Sequence, residues 1–276
     1  MPHNSWNYIY DSFDPIAFHI FSFPVHWYGM MYVLALVTAL YIAKYFMKRD
    51  KLDFQAKQLD VYFIYVEIGV ILGARLGYIL FYDTQTLYYL ANPWQIFNPF
   101  HNGEFVGIRG MSYHGAVIGF LLGTYMYTKK HKESFGKIMD LTGVSIPLAF
   151  VFGRIGNFLN QELIGRATDV SWGIYVDGIL RHPSQLYEAF LEGIVVFIIV
   201  YFYRKYKRFS GELILVYAFS YGLLRSVAEI WRAPDVQIGY VCCNVITQGQ
   251  VMSLGMALVA LASWVYFYIQ SKKTLA

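Results

Sequence analysis

Long apolar runs, separated by clusters of charged side chains, dominate the chain. A helix needs about 20 largely apolar residues to cross roughly 30 Å of hydrocarbon, and the charge clusters cut the chain into runs of about that length. The pattern predicts an all-α, polytopic membrane protein in which residues 1–276 form a single integral membrane domain. Seven transmembrane helices are expected, over residues 26–43, 61–82, 111–128, 138–156, 186–203, 212–231 and 250–270.

The composition agrees with this interpretation. Hydrophobic residues make up 57% of the chain and charged residues only 14%, which leaves too little polar surface for a water-soluble globule. A disordered chain is excluded too, because 25 Tyr, 22 Phe and 6 Trp offer far more apolar surface than such chains carry. The formal net charge of +4 gives no support to nucleic-acid binding.

The basic residues predict the orientation of the helices. Fifteen of the 22 Lys and Arg side chains lie in clusters after the first, third, fifth and seventh predicted spans. The positive-inside rule assigns all four clusters to the cytoplasm. The N-terminus is therefore expected outside, and the C-terminus in the cytoplasm.

The other seven basic residues are all arginines, whereas every lysine lies in a cytoplasmic connection. A guanidinium offers donors in a planar fork that binds phosphate or carboxylate with two hydrogen bonds, and an arginine in lipid is costly unless it is paired or faces water. Two interpretations stay open: an anion site built from at least two arginines, or salt bridges with Glu67, Glu162, Glu188 and Glu229 that pack the helices. The seven are Arg75, Arg109, Arg154, Arg166, Arg181, Arg225 and Arg232.

His114 lies at the outer start of the third predicted span, between glycines that permit close approach of a ligand. The reference pKa of histidine, about 6.5, suits a general base that takes a proton from a thiol or hydroxyl near neutral pH. The alternative is an interfacial histidine that only hydrogen-bonds a neighbour.

Polar residues are dense where the fourth predicted span reaches the outer face, over residues 153–166. If this stretch is helical, Arg154 and Asn157 share one face, and Asn160 and Glu162 follow as the helix ends. We expect the Asn and Glu side chains either to orient the Arg154 guanidinium or to bind a hydroxylated head group. The alternative is ordinary interfacial polarity.

The sixth predicted span carries Arg225, Glu229 and Arg232 at i, i+4 and i+7, which predicts one stripe. The stripe is either a structural zipper or part of a ligand site.

Tyr28 opens the first span and is an aromatic belt residue by default. A bundle can gather the outer ends of these spans into one pocket, where lipid head groups are the available anions. The candidates for it are Arg154, His114, Tyr28, Arg225 and Glu162.

The remaining candidates have simpler interpretations. Cys242 and Cys243 are adjacent, so a disulfide between them is strained, and no Cys or His pair near them stands at zinc-ligand spacing. We interpret both as small apolar residues, and we expect neither a metal nor a cofactor. Pro183 and Glu188, at the start of the fifth span, are largely explained by helix capping.

Five stretches of the chain resemble signature sequences of the bacterial prolipoprotein diacylglyceryl transferase family. They occur in the family's order, and the similarity reaches from the first span to Gly249-Gln250, so it covers nearly the whole chain. The stretches are His26-Trp-Tyr-Gly29, Gly73-Ala-Arg-Leu-Gly-Tyr78, Met111-Ser-Tyr-His-Gly115, Gly153-Arg-Ile-Gly-Asn-Phe-Leu-Asn-Gln-Glu162 and Arg181-His-Pro-Ser-Gln-Leu-Tyr-Glu188.

The resemblance implies an enzyme of the bacterial inner membrane with seven spans and an active site towards the periplasm. It implies transfer of a diacylglyceryl group from phosphatidylglycerol to the lipobox cysteine thiol of a preprolipoprotein signal peptide. The products are a thioether and glycerol phosphate, and no metal or nucleotide takes part.

The resemblance also assigns residues, position by position. His114, Arg154, Arg225 and Tyr28 are expected to be catalytic. Substrate binding is expected from Arg154 and from Asn157, Asn160, Glu162, Gly165, Arg75, Glu229 and Arg232. One departure is Ala116, where the family usually has a second glycine after the histidine, and its methyl group narrows the space beside His114.

A membrane transporter or binding protein for phospholipid or organic phosphate is the alternative. A transporter needs a site at the bilayer midplane with access from both faces, whereas these candidates cluster on one side. A binding protein needs no histidine or tyrosine at its pocket.

Overall fold

The computed structural model describes residues 6–21, 23–52, 54–101, 104–105, 110–234, 239–242 and 246–275. The chain divides into two compact units. Unit 1 consists of Met1–Lys51 and Met139–Ala276, and unit 2 of Leu52–Ile138.

Unit 1 is built on long helices. They are α1 (Trp27–Arg49), α5 (Phe135–Leu159, whose first turn belongs to unit 2), α8 (Glu212–Ala228) and α9 (Gln248–Leu275). A further continuous helix over Ser184–Tyr206 consists of α6 (Ser184–Glu188), a π-helical segment (Ala189–Val195), α7 (Val196–Tyr203) and a 3-10 turn (Arg204–Tyr206). A π-helical run of this length is uncommon, and such segments are frequent at functional sites.

Unit 2 contains α2 (Ala56–Phe81), the short α3 (Thr86–Ala91), a 3-10 turn (Pro93–Gln95) and α4 (Tyr113–His131). Strands occur only as two-stranded antiparallel hairpins in the described chain. The hairpin β3–β4 (Phe100–His101 and Glu104–Phe105) belongs to unit 2. Unit 1 holds β1–β2 (Ile16–Ile20 and Phe23–His26), β5–β6 (Ile174–Val176 and Ile179–Arg181) and β7–β8 (Tyr240–Cys242 and Ile246–Thr247).

A small apolar core closes one end of unit 1. The 3-10 helix Trp6–Ser12 places Tyr10 against Phe158 and Ile174, all three of them buried. The Gln161 amide at the end of α5 donates to the carbonyl of Tyr10 at 3.2 Å. Burial raises the pKa of the Tyr10 hydroxyl above its usual range, so Tyr10 stays neutral and packs as an apolar group.

Each of the seven predicted spans coincides with a helix, and five of these helices are long and apolar enough to cross a membrane. The five are Trp27–Arg49, Ala56–Phe81, Phe135–Leu159, Ser184–Tyr206 and Gln248–Lys273. The helices α4 and α8, at the third and sixth predicted spans, are 19 and 17 residues long. The protein is thus a mostly helical, polytopic membrane protein.

The observed helices run past several predicted boundaries. Helix α1 continues to Arg49, six residues beyond the predicted end at residue 43, and carries Lys48 and Arg49 in its last turn. Charge clusters are poor markers of a helix end, because Lys and Arg are good helix formers and favour the negative end of the helix dipole.

Glycines bring α2 and α4 into backbone contact in unit 2. Gly69, Gly73 and Gly77 on α2 face Gly115, Gly119 and Gly123 on α4. A Cβ atom added at Gly69 meets the Gly119 carbonyl, and one added at Gly77 lies 2.7 Å from the Gly115 Cα. In lipid, helices associate through such close packing of small residues, so these two stripes hold α2 and α4 together beside buried side chains such as Leu59, Tyr62 and Tyr127.

The first prediction concerns this contact. We expect Gly119→Ala to lower the melting temperature of the detergent-solubilised protein, because backbone atoms must shift, at a cost of about 1–3 kcal/mol. The matched control is Gly255→Ala in α9, where an added Cβ meets nothing within 4 Å. This change should leave the melting temperature unchanged or slightly raised, since alanine is the better helix former. Equal melting temperatures for the two variants would contradict the proposed contact.

Candidate active site

Two arginines from different helices of unit 1 share the same two carboxylates. Arg154 on α5 lies with Nη1 2.9 Å from a Glu188 oxygen and Nη2 3.4 Å from a Glu192 oxygen. Arg225 on α8 places its Nη1 2.8 Å from Glu188 and 3.2 Å from Glu192. The guanidiniums of Arg154 and Arg225 therefore converge on one site.

Two further ion pairs extend the site. Arg225 Nη2 lies 2.8 Å from a Glu229 oxygen, and the Thr247 hydroxyl donates to Glu229 at 3.0 Å. Arg232 Nη1 lies 3.6 Å from Glu188. We call the six charged residues the arginine–glutamate cluster. Its members are Arg154, Glu188, Glu192, Arg225, Glu229 and Arg232.

The cluster is buried and its formal charges balance. The exposed side-chain fraction is 12% for Arg154 and 11% for Arg225, whereas Glu188 and Glu192 are fully buried. Burial of unpaired charges is costly, and removing one partner of a buried ion pair typically costs about 3–5 kcal/mol. Three carboxylates therefore keep three guanidiniums ionised and fixed inside unit 1.

The π-helical segment explains how the two shared carboxylates are positioned. Glu188 ends α6, and Glu192 lies within the segment. The neighbouring Gly193 packs directly on α5, where an added Cβ would lie 3.2 Å from the Pro147 carbonyl and would also contact Val151. This close approach brings the segment against the helix that carries Arg154.

Asn157 links Arg154 to Glu162. Arg154 Nη1 donates to the Asn157 side-chain oxygen at 3.5 Å, and the Asn157 amide donates to Glu162 at 2.8 Å. The prediction that Arg154 and Asn157 share a helix face is confirmed. Tyr28 on α1 packs on Gly156, one residue before Asn157.

One edge of the Arg154 guanidinium remains available. Its Nε is buried and has no hydrogen-bond partner in the described parts of the chain. Nε and Nη2 form the side-on fork of an arginine, and among the described residues Nη2 contacts only Glu192, at 3.4 Å. An arginine fork binds a phosphate or carboxylate with two parallel hydrogen bonds, so this edge has the form of an anion-binding group.

Gly165 and Asn160 have structural surroundings. Gly165 forms an antiparallel bridge with Arg232, and an added Cβ would meet the carbonyl of His182. The backbone N–H of Asn160 donates to Gly156 at 2.9 Å and closes the last turn of α5. Among the described residues, neither Gly165 nor Asn160 forms a side-chain hydrogen bond to the arginine–glutamate cluster.

The predicted helical stripe of Arg225, Glu229 and Arg232 is wrong for Arg232. The ion pair between Arg225 and Glu229 is confirmed, but α8 ends at Ala228. The next turn tightens, with the N–H of Trp231 bonded to the Ala228 carbonyl. Arg232 then lies in the bridge with Gly165, so its side chain reaches Glu188 from a loop.

His114 and Arg75 belong to unit 2. His114 lies in the first turn of α4 with an exposed side chain, and its Nδ1 is 3.2 Å from the Tyr82 hydroxyl. Arg75 is buried; its Nε donates to the Ile96 carbonyl at 2.6 Å and its Nη1 to the Gly110 carbonyl at 3.2 Å. Arg75 therefore anchors the connection that leads into α4.

The segment that enters α6 carries a second histidine. His182 Nδ1 lies 3.2 Å from the Tyr187 hydroxyl, and burial lowers the pKa of His182 below its usual value. A neutral imidazole at this position suits a structural hydrogen bond. Arg109, Cys243 and the side chain of Cys242 lie outside the described residues.

Comparison with known proteins supports the sequence resemblance. The sequence profile of the family Prolipoprotein diacylglyceryl transferase matches residues 15–266. The chain belongs to the prolipoprotein diacylglyceryl transferase family. The expected family and enzyme class, a transferase, are thereby confirmed.

Three relatives named phosphatidylglycerol–prolipoprotein diacylglyceryl transferase illustrate the similarity. The protein of Campylobacter jejuni is 62% identical over 268 residues, which are 97% of this chain and 98% of the relative. The Campylobacter lari protein is 60% identical with the same coverage. The Wolinella succinogenes protein is 61% identical over 95% of this chain and 96% of its own.

Sequence reasoning did not select Glu188 and Glu192 as site residues of this diacylglyceryl transferase. Glu188 was interpreted either as a capping residue or as a salt-bridge partner of an arginine, and its ion pairs with Arg154 and Arg225 confirm the second interpretation. Glu192 was not named as a partner. The available signal was the pair of carboxylates four residues apart within an apolar run, since an acidic side chain inside a span needs a partner. The salt-bridge interpretation of Arg154 and Arg225 is therefore confirmed. In addition, the Nε of Arg154 has no hydrogen-bond partner among the described residues, so this guanidinium can still bind an anion.

The second prediction concerns the Arg154 fork. We expect Arg154→Lys to lower kcat/KM for diacylglyceryl transfer about 10- to 100-fold, because an ammonium group cannot make two parallel bonds. The control is Arg204→Lys, since Arg204 has a similar exposed fraction of 11% and an ion pair with Asp50 at 3.3 Å. This variant should keep the KM for lipid. Full transfer activity in the Arg154 variant would exclude bidentate binding by this residue.

Proposed function

We propose that the protein transfers the diacylglyceryl group of phosphatidylglycerol to the lipobox cysteine of preprolipoprotein signal peptides. The cysteine sulfur forms a thioether with the glycerol carbon, and glycerol phosphate departs. The observation that carries this proposal is the convergence of Arg154 and Arg225 on one buried site, together with the names of relatives about 60% identical over nearly the whole chain.

The chemistry explains why arginines are needed. The nucleophile attacks a saturated glycerol carbon, so no oxyanion develops on a carbonyl. The C–O bond to the phosphate breaks, and negative charge grows on the departing phosphate oxygen. Preorganised donors aimed at such a charge contribute about 3–4 kcal/mol each in other enzymes. We assign this task to Arg154 and Arg225, with Asn157 and Glu162 orienting Arg154.

The nucleophile must lose a proton before it reacts, because a free thiol has a pKa of about 8.5. We propose that His114 accepts this proton as a general base. Its exposed imidazole forms a hydrogen bond with the Tyr82 hydroxyl. Tyr28 is assigned to the lipid head group because it packs on Gly156, which lies between Arg154 and Asn157 on α5. In unit 1, Asn160, Gly165, Glu229 and Arg232 are proposed as supporting residues for lipid binding. Arg75 of unit 2 is proposed for substrate binding on the basis of the sequence resemblance alone.

The membrane arrangement is part of the proposal. We propose seven spans in a single integral membrane domain of the bacterial inner membrane, with the N-terminus in the periplasm and the C-terminus in the cytoplasm. The four basic clusters after alternate helices support this orientation. Arg154, Tyr28 and His114 then lie at the periplasmic ends of their helices, within reach of outer-leaflet lipid.

The third prediction tests the reaction itself. Purified protein incubated with labelled phosphatidylglycerol and a lipobox peptide should give a thioether-linked diacylglyceryl peptide. A peptide with serine in place of the lipobox cysteine is the control and should stay unmodified. Lipid transport without a thioether product would favour a transporter, and lipid binding without either would favour a binding protein.

The fourth prediction separates the roles of the two units. His114→Gln should lower kcat at pH 7 by about 10²–10⁴-fold, the usual contribution of general acid–base catalysis, while the KM for lipid stays close to the wild-type value. His131→Gln on the same helix is the control and should keep normal kcat. Normal turnover in the His114 variant would remove the general-base assignment and leave the lipid site intact.

A fifth prediction concerns topology. In a background in which Cys242 and Cys243 are replaced by serine, single cysteines at the exposed positions Asn98 and Lys132 should be labelled from opposite sides of the membrane. A membrane-impermeant thiol reagent should label the first in spheroplasts and the second only after lysis. Labelling of both in intact spheroplasts would contradict the proposed orientation.

A further inference from the structure

We infer that Glu192 is a positioning residue that holds the place of the substrate phosphate between Arg154 and Arg225, and that it exchanges with the phosphate during each turnover. The inference rests on the proposed function, because it takes phosphatidylglycerol as the anionic substrate. It assigns different roles to the two shared glutamates. Glu188 fixes the arginines, and Glu192 competes for them.

The first support is the pattern of distances. Glu188 makes the short contacts, 2.9 Å to Arg154 and 2.8 Å to Arg225. Glu192 makes the longer ones, 3.4 Å and 3.2 Å, to the same two guanidiniums. Charge-assisted hydrogen bonds are normally about 2.7–2.9 Å long. Glu188 makes one hydrogen bond of that length, to Arg225, while its Oε2 forms an ion pair with Arg154 but no hydrogen bond to a described residue. Glu192 hydrogen-bonds both arginines, and both of its bonds are longer than the usual length. The Glu192 carboxylate therefore spans the two arginines through long hydrogen bonds only.

The second support is the available edge of Arg154. Its Nε is buried without a hydrogen-bond partner among the described residues, and the Nη2 on the same edge is held by Glu192 alone. A phosphate that displaced Glu192 would gain both donors of this fork, whereas the carboxylate uses only one. The phosphate would then also lie beside Arg225 Nη1, the other contact of Glu192.

The third support is the charge balance. The cluster holds three arginines and three glutamates, of which Glu188 and Glu192 are fully buried. A phosphodiester carries one negative charge, as Glu192 does, so the exchange replaces one monoanion by another on the same guanidiniums. The displaced carboxyl group, buried and without its cations, is then favoured in its protonated, neutral form, which keeps the charges of the cluster balanced. Buried charges need this balance. After the C–O bond breaks, the returning Glu192 carboxylate helps to expel the glycerol phosphate.

The two glutamates should therefore respond in opposite directions. Glu192→Gln removes the competing charge, so the KM for phosphatidylglycerol and the inhibition constant of glycerol phosphate should both fall about tenfold, since one like charge at close range is removed. Its kcat should fall as well, because product leaves more slowly. Glu188→Gln loosens both arginines and should raise the same KM and inhibition constant about tenfold.

Glu192→Asp is the rescue variant. It keeps the charge on a shorter side chain, so its KM and inhibition constant should return towards wild-type values, whereas those of Glu192→Gln remain low. A purely structural role predicts that every change at Glu192 weakens lipid binding. The melting temperatures of the full-length variants in detergent show whether each one is folded.

The measurements overturn the inference if Glu192→Gln raises the KM and the inhibition constant, or leaves both unchanged. Calorimetric binding of glycerol phosphate to the same variants does not depend on turnover and separates this result from a failure of the proposed function. If no thioether forms but glycerol phosphate binds more tightly to Glu192→Gln, the proposed reaction fails and the exchange role stands. If thioether forms and the binding is unchanged, only the exchange role fails.

Discussion

The pairing of buried charges is the constraint on which the rest of unit 1 depends. In a low-dielectric interior an isolated guanidinium is too costly to keep, so Arg154 and Arg225 exist inside the helices only because Glu188 and Glu192 lie between them. The same pairing sets a limit on catalysis, because arginines that are fully neutralised attract no further anion. Arg154 meets both requirements: its guanidinium is paired with carboxylates, but its Nε forms no hydrogen bond to any described residue and can still bind an anion.

Several local features of the fold follow from that requirement. The π-helical segment and Gly193 bring the two glutamates against α5, and the bridge between Gly165 and Arg232 brings a third arginine to Glu188 from a loop. Thr247 binds Glu229, and an atom added at Gly249 would lie 2.6 Å from a Glu229 oxygen. Loops, glycines and an irregular helix thus serve one cluster of charges, and the regular helices supply the frame.

Much of this arrangement could be predicted from the sequence, because membrane helices leave strong signals. The apolar runs predicted all the long helices, and the i, i+3 and i, i+4 spacings predicted the contacts of Arg154 with Asn157 and of Arg225 with Glu229. The contacts between helices could not be derived in this way. Spacing along one helix does not reveal that Glu192 faces two arginines that lie 38 and 33 residues away in the chain. Nor does it show that α8 ends before Arg232, which instead forms an isolated bridge with Gly165, a residue far away in the chain.

The glycine seam between α2 and α4 has a consequence for how unit 2 can vary. Where the six glycines meet, no side chain separates the two backbones, so this part of the pair has no soft layer that can absorb a slide or a tilt of one helix on the other. Further along, side chains such as Tyr62 and Thr124 lie between the helices. Six glycines are held at fixed heights by carbonyl and Cα atoms of the opposite helix, so any change of register has to move at least four residues at once to find a matching glycine. Over the glycine stretch the two helices therefore form one stiff body, and the exposed side chains on its outside, such as Leu76, Leu80 and Leu122, are the parts that can adjust to their surroundings.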